Sequence, residues 1–362
     1  MWLAVAAPQT RPAQGLTGAA LFTAGCAGCH GPDGSGAPDS TIGFEKPSTY
    51  PDFSGCDQTS PEVEADWWAV IHDGGKARGF SRIMPAFGEL LTTDQITSLV
   101  KYIRGLCTDR RWPPGELNLP RPLITEKAFP ESETVFTSSI APAAEGPRGH
   151  DATYALQYER RFSARDQLEL SIPMAVMHDQ SGTSHTGVGD VEVGVKHVLF
   201  SSMRSGSIVS AQGVVTIPAG NKDTGLGVGT TVLEGFVAVG QVLRGQAFIQ
   251  GQLGTEQPTD TTDTPRAAYG RLAVGRSFRA DRGLGRMWTP MAEFIADHDF
   301  ESGASTNFDV VPQMQVTLNR RQHIRASLGV RVPANNRDGR PTQVGFYVLW
   351  DWFDGGLFSG WK

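Results

Sequence analysis

The sequence lacks several features that would define its class at once. No apolar run reaches the ~20 residues that a membrane-spanning helix needs, so a membrane-crossing structure would have to be built from strands. Charged residues make up only 19% of the chain, and the formal net charge is −6. Neither part of the chain is basic, with 13 acidic and 10 basic residues up to Ile124 and 25 and 22 after it. This balance argues against a nucleic-acid partner.

Cysteine is absent after Cys107, and this absence accompanies a change of pattern. All four cysteines lie where the apolar residues have helical spacing, and beyond them glycine separates short alternating runs. A length of 362 residues allows two domains. We predict a multidomain chain in which an all-α N-terminal domain precedes an antiparallel β-barrel of about 12 strands. The expected boundaries are 1–15 for a leader or signal remnant, 16–110 for the helical domain, 111–130 for a Pro-rich linker, 131–353 for the barrel and 354–362 for a C-terminal tail.

The motif Cys26-Ala27-Gly28-Cys29-His30 carries the clearest chemical information. A C-x-x-C-H sequence attaches a c-type haem, because the two thiols add to the vinyl groups and the adjacent histidine binds the iron. The spacing brings both cysteines to one side of a helical turn. A redox dithiol or half of a zinc site would not need the histidine, and no second ligand pair follows at suitable spacing. The motif therefore predicts one covalently attached haem c.

The residues around this motif resemble those of small, class I c-type cytochromes over roughly residues 15–110. The resemblance is carried by Gly18 to Phe22, Gly31, Met84-Pro85-Ala86-Phe87 and Val100 to Arg104. It implies that Met84 is the second axial ligand of the iron, opposite His30. A thioether on a loop stiffened by Pro85 suits that role. His72 is the alternative sixth ligand, but its position before two glycines is typical of a helix C-terminus.

Three helices are expected in this domain. Thr17 is a candidate N-cap for a helix over 18–29, and Ser60 followed by Pro61 predicts the start of a second helix. Thr92 and Gln95 have the spacing of a capping box for a third. The apolar face of the third helix should pack against the first helix; it consists of Ile96, Leu99, Val100 and Ile103.

Cys56 and Cys107 remain when the two haem-binding cysteines are set aside. Haem attachment of this type takes place on the oxidising, exported side of the bacterial inner membrane, where two spare cysteines can pair. We expect a Cys56–Cys107 disulfide, and two buried free thiols are the alternative.

Beyond residue 130 apolar and polar residues alternate, as they do over 168–176, 191–196 and 323–332. We count about twelve such strands, and brief turns alternate with longer loops rich in Gly, Asp, Asn and Thr. An even number of long strands with short turns at one end is typical of an outer-membrane barrel. A soluble β-sandwich is the alternative, but its strands are usually shorter.

Two short motifs in this part resemble an outer-membrane transporter family linked to phenol meta-pathway degradation. They are Gly187-Val188-Gly189-Asp190 with the strand that follows, and Thr216-Ile217-Pro218-Ala219-Gly220. The resemblance implies a barrel and says little about a substrate. The last strand is expected to end near Trp352-Phe353, whereas such barrels usually finish on an aromatic residue at the chain end.

These patterns favour a non-enzymatic function. We expect a monohaem c-type cytochrome that carries single electrons in the periplasm and is anchored to the bacterial outer membrane by its own β-barrel. Its partners would be periplasmic redox proteins, either other cytochromes or a redox complex. His30 and Met84 together leave no open position on the iron. The alternative is an outer-membrane pore or porin-cytochrome conduit in which the haem domain is a redox gate or relay. A haem peroxidase or sensor would require Met84 to leave the iron.

Overall fold

A computed structural model of the chain describes residues 16–47, 50–143, 149–179, 181–279 and 286–351. The chain divides into two compact units, Met1–Asp109 and Arg110–Lys362. The first unit is helical and the second is a closed β-barrel, which confirms the predicted fold class. The expected leader over 1–15 and the tail over 354–362 lie outside the described residues. Within the described ranges no helix is long and apolar enough to cross a membrane.

The described part of the first unit contains five short α-helices. They are α1 (Gly18–Gly25), α2 (Ala27–His30), α3 (Cys56–Thr59), α4 (Glu64–Asp73) and α5 (Thr93–Arg104). Thr17 caps α1 as predicted, because its Oγ1 accepts a 3.3 Å hydrogen bond from the amide of Ala20. The helix expected over 18–29 is divided at Cys26, where φ is −118°. Gly18 allows α1 to approach α5 closely, since a Cβ at this position would collide with the carbonyl oxygen of Ser98.

The second predicted helix begins later than expected. Ser60 follows the end of α3, and its amide donates a 3.0 Å hydrogen bond to the carbonyl of Cys56. The next helix, α4, starts at Glu64 instead of Pro61 and ends before Gly74, whose φ is 80°. A Ser-Pro pair is compatible with either end of a helix, and here the bond to Cys56 places Ser60 at the C-terminal end.

Helix α5 forms the centre of the helical core. Its capping box is complete, because Thr92 Oγ1 accepts from the amide of Gln95 and Gln95 Oε1 accepts from the amide of Thr92. As predicted, its apolar face packs with Leu21 and Phe22 of α1. That face comprises Ile96, Leu99, Val100 and Ile103, each no more than 2% exposed. A disulfide between Cys56 and Cys107 ties α3 to the chain that follows α5.

The second unit is built from antiparallel strands, and pairing of the last strand with the first closes the barrel. Two strands of the barrel are each interrupted into two segments: β4 and β5 both pair with β3, and β9 and β10 both pair with β11. Counting each interrupted strand once, the described residues form a barrel of twelve strands. Their bounds are β1 (Glu133–Pro142), β2 (His150–Arg161), β3 (Asp166–His178), β4 (Ser184–Val188), β5 (Val191–Ser202), β6 (Ser207–Ile217), β7 (Val232–Val242), β8 (Ala247–Pro258), β9 (Ala267–Arg276), β10 (Phe278–Arg279), β11 (Met287–Asp299), β12 (Asn307–Thr317), β13 (Ile324–Pro333) and β14 (Gln343–Asp351).

The two faces of the barrel differ sharply in polarity. Large apolar side chains are exposed on the outer face, among them Phe136, Leu156, Leu168, Met174, Leu253, Phe294 and Leu328. The buried residues that alternate with them point inward and are of mixed polarity. The polar ones include Gln157, Gln167, Gln212, Gln250, Gln252, Gln313 and Gln315, and the apolar ones include Ile208, Phe236, Phe248 and Met291. An apolar outer face is the feature that a lipid bilayer requires of a barrel.

Connections are generally longer at one end of the barrel than at the other, as the sequence predicted. Among the connections that the structure describes in full, one end carries the turns 162–165, 203–206, 243–246 and 318–323, and the other carries the loops 218–231, 259–266, 300–306 and 334–342. We call these the short-turn end and the long-loop end.

The two motifs around Asp190 and Gly220 meet at the long-loop end. Asp190 Oδ1 accepts a 2.9 Å hydrogen bond from the amide of Gly220, and Oδ2 accepts a 2.7 Å bond from the amide of Val228. A side chain at Gly227 would collide with the Asp190 carboxylate. These motifs thus fasten loop 218–231 to the start of β5.

Candidate haem site and barrel lumen

The C-x-x-C-H motif lies at the junction of α1 and α2. Amides of Cys29 and His30 donate to the carbonyl of Cys26 at 3.1 and 2.9 Å, which forms a tight helical turn. Cys26 is buried and Cys29 is exposed, and the disulfide uses neither thiol. Burial, with a smaller contribution from Cys29, raises the pKa of the Cys26 thiol to about 11. The turn therefore presents two reduced thiols three residues apart, as thioether attachment to two vinyl groups requires.

The imidazole of His30 lies among aromatic rings. It stacks on Phe53 at 4.6 Å and on Tyr50 at 5.3 Å between ring centroids. The Tyr50 hydroxyl donates to the carbonyl of Cys29, which holds this ring beside the motif. Burial lowers the pKa of His30 to about 4, so the imidazole is neutral at pH 7 and able to bind a metal.

A glycine-rich loop brings these rings to His30. Gly31, Gly34 and Gly36 have φ values of 77°, 84° and 100°, which side-chain-bearing residues rarely adopt. The loop folds back because the amide of Gly36 donates to the carbonyl of His30 at 2.7 Å. The amide of Phe53 donates to the carbonyl of Gly34 at 2.9 Å and fixes the stacked ring.

Met84 lies on a loop bound to the C-terminal end of α4. Its carbonyl accepts from the amide of Gly75 at 3.1 Å, and the amide of Phe87 donates to the carbonyl of Ile71 at 2.9 Å. Gly75 is needed because a Cβ there would collide with the carbonyl of Ser81. The half-buried Met84 side chain packs on the same apolar cluster that contains Cys26 and Phe53.

His72, the alternative iron ligand, contacts residues of its own helix, α4. Its ring stacks on Trp68 at 4.5 Å, and Nδ1 lies 2.9 Å from Asp73 Oδ1. Its position at the end of α4 agrees with the structural role expected from the sequence.

The residues present fit a haem c. The motif supplies two thiols and a neutral imidazole, and the apolar cluster supplies a soft thioether. Two buried ring nitrogens, His30 Nδ1 and Trp67 Nε1, have no hydrogen-bond partner within the described part of the protein. Trp67 contacts Phe53 at 5.3 Å, so both nitrogens border the same aromatic group. A haem would bring polar propionates and a large apolar ring to these surroundings.

Sequence reasoning missed three residues of this unit. Tyr50 and Phe53 lie in a Pro/Gly-rich stretch without periodicity, and only their aromatic character could have singled them out. Arg78 is 1% exposed and its Nη2 lies 3.0 Å from Asp66 Oδ2 of α4. This buried ion pair holds residues 75–78 against α4, and Gly75 of that stretch binds the carbonyl of Met84.

The stretch 111–130 is not only the Pro-rich linker that the sequence predicted. Residues 115–131, which we call the lumen segment, belong to the second unit and contact inward-facing residues of the barrel strands. Leu117 and Phe129 pack with Ile208, Leu119 packs with Phe248, and Leu123 packs on the cluster of Tyr347 and Val135. The segment is therefore ordered and lies inside the barrel.

Arg121 is the main polar anchor of the lumen segment. Its Nη1 donates to Glu133 and Glu159 at 2.9 and 2.6 Å, and its Nη2 donates to Gln157 at 2.8 Å. The carbonyl of Arg121 accepts a 2.6 Å bond from the hydroxyl of Tyr347. Arg121, Glu133 and Glu159 are at most 5% exposed, so both charges of each ion pair are buried away from water.

Side chains of the barrel strands bind the backbone of the lumen segment. The carboxylate of Glu293 accepts from the amides of Leu123 and Thr125 at 2.9 and 2.6 Å. Gln252 accepts from the amide of Glu126 at 3.1 Å, and Gln250 donates to the carbonyl of Pro120 at 2.8 Å. These bonds satisfy backbone groups that no strand pairs with.

Comparison with known families identifies the first unit. Residues 13–103 match the family model described as Cytochrome C oxidase, cbb3-type, subunit III. Residues 13–103 are thus a cytochrome c domain, and the C-x-x-C-H motif and Met84 both fall within the matched residues. A comparison with curated proteins finds no match.

Several solved structures are similar to part of this chain. An outer membrane channel from Pseudomonas putida F1 is 14% identical and covers 64% of this chain and 99% of its own, with a TM-score of 0.43. The β domain of a Bordetella autotransporter is 12% identical and covers 61% and 98%, with a TM-score of 0.40. LpxR from Salmonella typhimurium is 9% identical and covers 61% and 100%, with a TM-score of 0.38.

Proposed function

We propose that the protein is a monohaem c-type cytochrome that carries single electrons and is anchored in the outer membrane by its own barrel. The observation that carries the proposal is the Cys26–His30 turn, with its neutral, aromatic-flanked imidazole, in a matched cytochrome c domain. A bound haem c supplies a one-electron couple between ferric and ferrous iron. In this role the protein is a carrier and not an enzyme.

The residues of the first unit have separate tasks in this function. Cys26 and Cys29 hold the cofactor covalently, and His30 binds the iron through a ring that Tyr50 and Phe53 keep in place. Met84 would supply a second ligand to the iron, and a thioether ligand would favour the reduced state. A haem held by both His30 and Met84 would exchange single electrons without binding a substrate at the iron.

The second unit supports placement in the outer membrane. Its outer face exposes large apolar side chains, and pairing of β14 with β1 closes the described sheet into a barrel. We infer that the first unit stands in the periplasm, where its partners are soluble cytochromes or a redox complex. In this arrangement the short-turn end faces the periplasm.

Replacement of Met84 tests the proposed ligation in the full-length protein. Met84→Ala should lower the midpoint potential and let carbon monoxide bind the ferrous iron, because the thioether no longer fills the sixth position. Met84→His should restore a six-coordinate, low-spin spectrum at a potential below that of the parent. Met203→Ala, which changes an exposed methionine in a barrel turn, is the matched control and should alter neither property. If Met84→Ala kept the parent spectrum and potential, Met84 would not be the ligand.

A further inference from the structure

We propose that the short-turn end of the barrel binds phospholipids whose headgroups carry a net negative charge. The binding groups are exposed arginines that lie beside exposed apolar side chains, and we call them the arginine girdle. The girdle consists of Arg160, Arg204, Arg244, Arg276, Arg286 and Arg320. This lipid binding rests on the proposed placement of the barrel in a membrane, and it specifies the class of lipid that the barrel selects.

Positive charge is concentrated at the short-turn end. The four turns that the structure describes in full contain no carboxylate and five arginines: Arg165, Arg204, Arg244, Arg320 and Arg321. The four loops described in full at the long-loop end contain five carboxylates and four Lys or Arg residues. The short-turn end therefore attracts a partner of negative charge.

The girdle surrounds the barrel instead of marking one side of it. Its arginines belong to five successive connections: those between β2 and β3, β5 and β6, β7 and β8, β9 and β11, and β12 and β13. Lipid surrounds a membrane barrel on all sides, whereas a protein partner contacts one part of the rim. The distribution of the arginines thus favours lipid over an acidic protein.

Arg160 lies on the outer face of β2 beside aromatic rings. Its neighbour Glu159 is buried inside the barrel, so Arg160 shares the outer face with the exposed Tyr158. Phe162, two residues further along the chain, is 62% exposed. Aromatic side chains collect where the apolar core of a bilayer meets its headgroups, and these two rings therefore place Arg160 near that boundary.

Two more girdle arginines have an aromatic neighbour. The guanidinium carbon of Arg276 lies 5.1 Å from the ring centroid of Phe278, and its Nε donates a 3.0 Å hydrogen bond to the carbonyl of Gly245. Phe278 pairs with the exposed Trp288, and Arg286 precedes Trp288 by two residues. A guanidinium that stacks on a ring still has donors along its edge for an oxyanion.

The remaining three arginines lie in turns, each within two residues of an exposed apolar side chain. The pairs are Met203 with Arg204, Leu243 with Arg244, and Leu318 with Arg320. Within the ranges that the structure describes, none of these three arginines forms an ion pair. The apolar side chain can enter the acyl region while the long arginine side chain extends to the phosphates.

Arginine suits a phosphate better than lysine does. Its planar guanidinium can donate to two oxygens of one phosphate at once, and the turns of this end contain arginine but no lysine. A zwitterionic headgroup has its own ammonium group beside the phosphate, which offsets the attraction. The phosphate of phosphatidylglycerol is not offset in this way, so the girdle should select anionic phospholipids.

Electron paramagnetic resonance of spin-labelled lipids measures this selectivity on the full-length, haem-loaded protein. The protein is reconstituted in phosphatidylcholine vesicles with a trace of phosphatidylglycerol or phosphatidylcholine, each labelled at the same acyl position. The motionally restricted fraction should be larger for phosphatidylglycerol and give a relative association constant of about two to five. In about 1 M NaCl the preference should largely disappear, because salt screens exposed charges.

Substitutions assign the preference to one end of the barrel. Changing Arg204, Arg244 and Arg320 together to Gln should reduce the preference by at least roughly half, and changing them to Lys should retain most of it, since the charge remains. The matched control removes three exposed cations at the long-loop end, through Lys222→Gln, Arg266→Gln and Arg337→Gln, and should keep the parent's preference. Heat-dependent migration in gels reports whether each variant is an assembled barrel.

Three results would overturn the lipid selectivity. Equal restricted fractions for the two lipids in the parent would favour an acidic protein as the partner of the girdle. A preference that salt leaves unchanged, which is measured on the parent alone, would show that charge does not cause it. An equal loss in the long-loop control would show that total charge matters and the girdle does not. Absence of restricted lipid of either kind would be a different failure, because it would contradict the placement of the barrel in a membrane.

Discussion

At the scale of single residues, the lumen segment is held by buried polar groups whose partners lie far away in the sequence. Arg121 binds Glu159 on β2, and Glu293 on β11 binds the backbone of residues 123–125. Removing one member of such a buried pair typically costs about 3 to 5 kcal/mol, because the other charge is left without compensation. Single residues can therefore decide whether the lumen segment stays in place.

Asp190 offers a test of one residue outside the lumen. Asp190→Asn replaces a carboxylate oxygen that accepts from Gly220 or Val228 with an amide that cannot accept, at a cost of about 1 to 3 kcal/mol. Loop 218–231 should open more often, and tryptic cleavage after Lys222 should become about tenfold faster.

Asp263→Asn is the matched control for Asp190→Asn. It alters only an exposed ion pair with Lys222, and exposed pairs contribute little. Equal cleavage rates in the two variants would show that Asp190 does not fasten the loop.

At the scale of elements, the helical unit relies on a few specific connections between short helices. Helix α5 carries a complete capping box and buries four apolar side chains, whereas α2 and α3 have only four residues each. Isolated helices of this length are not stable in water. Their positions depend on contacts with α5, on the haem-binding turn and on the disulfide.

The disulfide provides the test at this scale. Cys56→Ser with Cys107→Ser removes a bridge with a sequence separation of 51 residues, and the chain-entropy estimate gives a loss of roughly 4 kcal/mol. Urea unfolding followed by the haem absorbance should show a lower midpoint for this variant.

Reduction supplies the control for the disulfide test. A reductant should lower the midpoint of the parent to that of the double variant and leave the variant unchanged. Two reactive thiols in the unfolded, non-reduced parent would instead show that Cys56 and Cys107 are not paired.

At the scale of the whole molecule, the difference in connection length between the two ends predicts which end of the barrel faces the periplasm. Outer-membrane barrels have short turns on the periplasmic side and longer loops outside the cell. Cysteines introduced at Thr183, Asp223 or Thr261 should therefore react with an impermeant reagent on intact cells, and cysteines at Arg165 or Arg320 should not. The reverse pattern would place the short-turn end outside the cell and contradict a periplasmic haem unit.

Local sequence patterns determined the haem motif and the class of each unit. The C-x-x-C-H turn requires only residues within one helical turn, and the capping box of α5 requires only Thr92 and Gln95. Period-two alternation identified strands because each strand has one face towards lipid and one towards the lumen. Such features are readable because their physical cause lies within a few residues.

Only the tertiary structure decided what surrounds these patterns. Prolines in 111–130 indicated an extended linker, yet the partners that hold Arg121 come from strands as distant as β14, where Tyr347 lies 226 residues away. Tyr50 and Phe53 likewise reach His30 through a loop without periodicity. Pairing over such separations depends on how the barrel closes and how the loop folds. A local pattern contains no information about these events, because the free energy of each contact is gained only when distant residues meet.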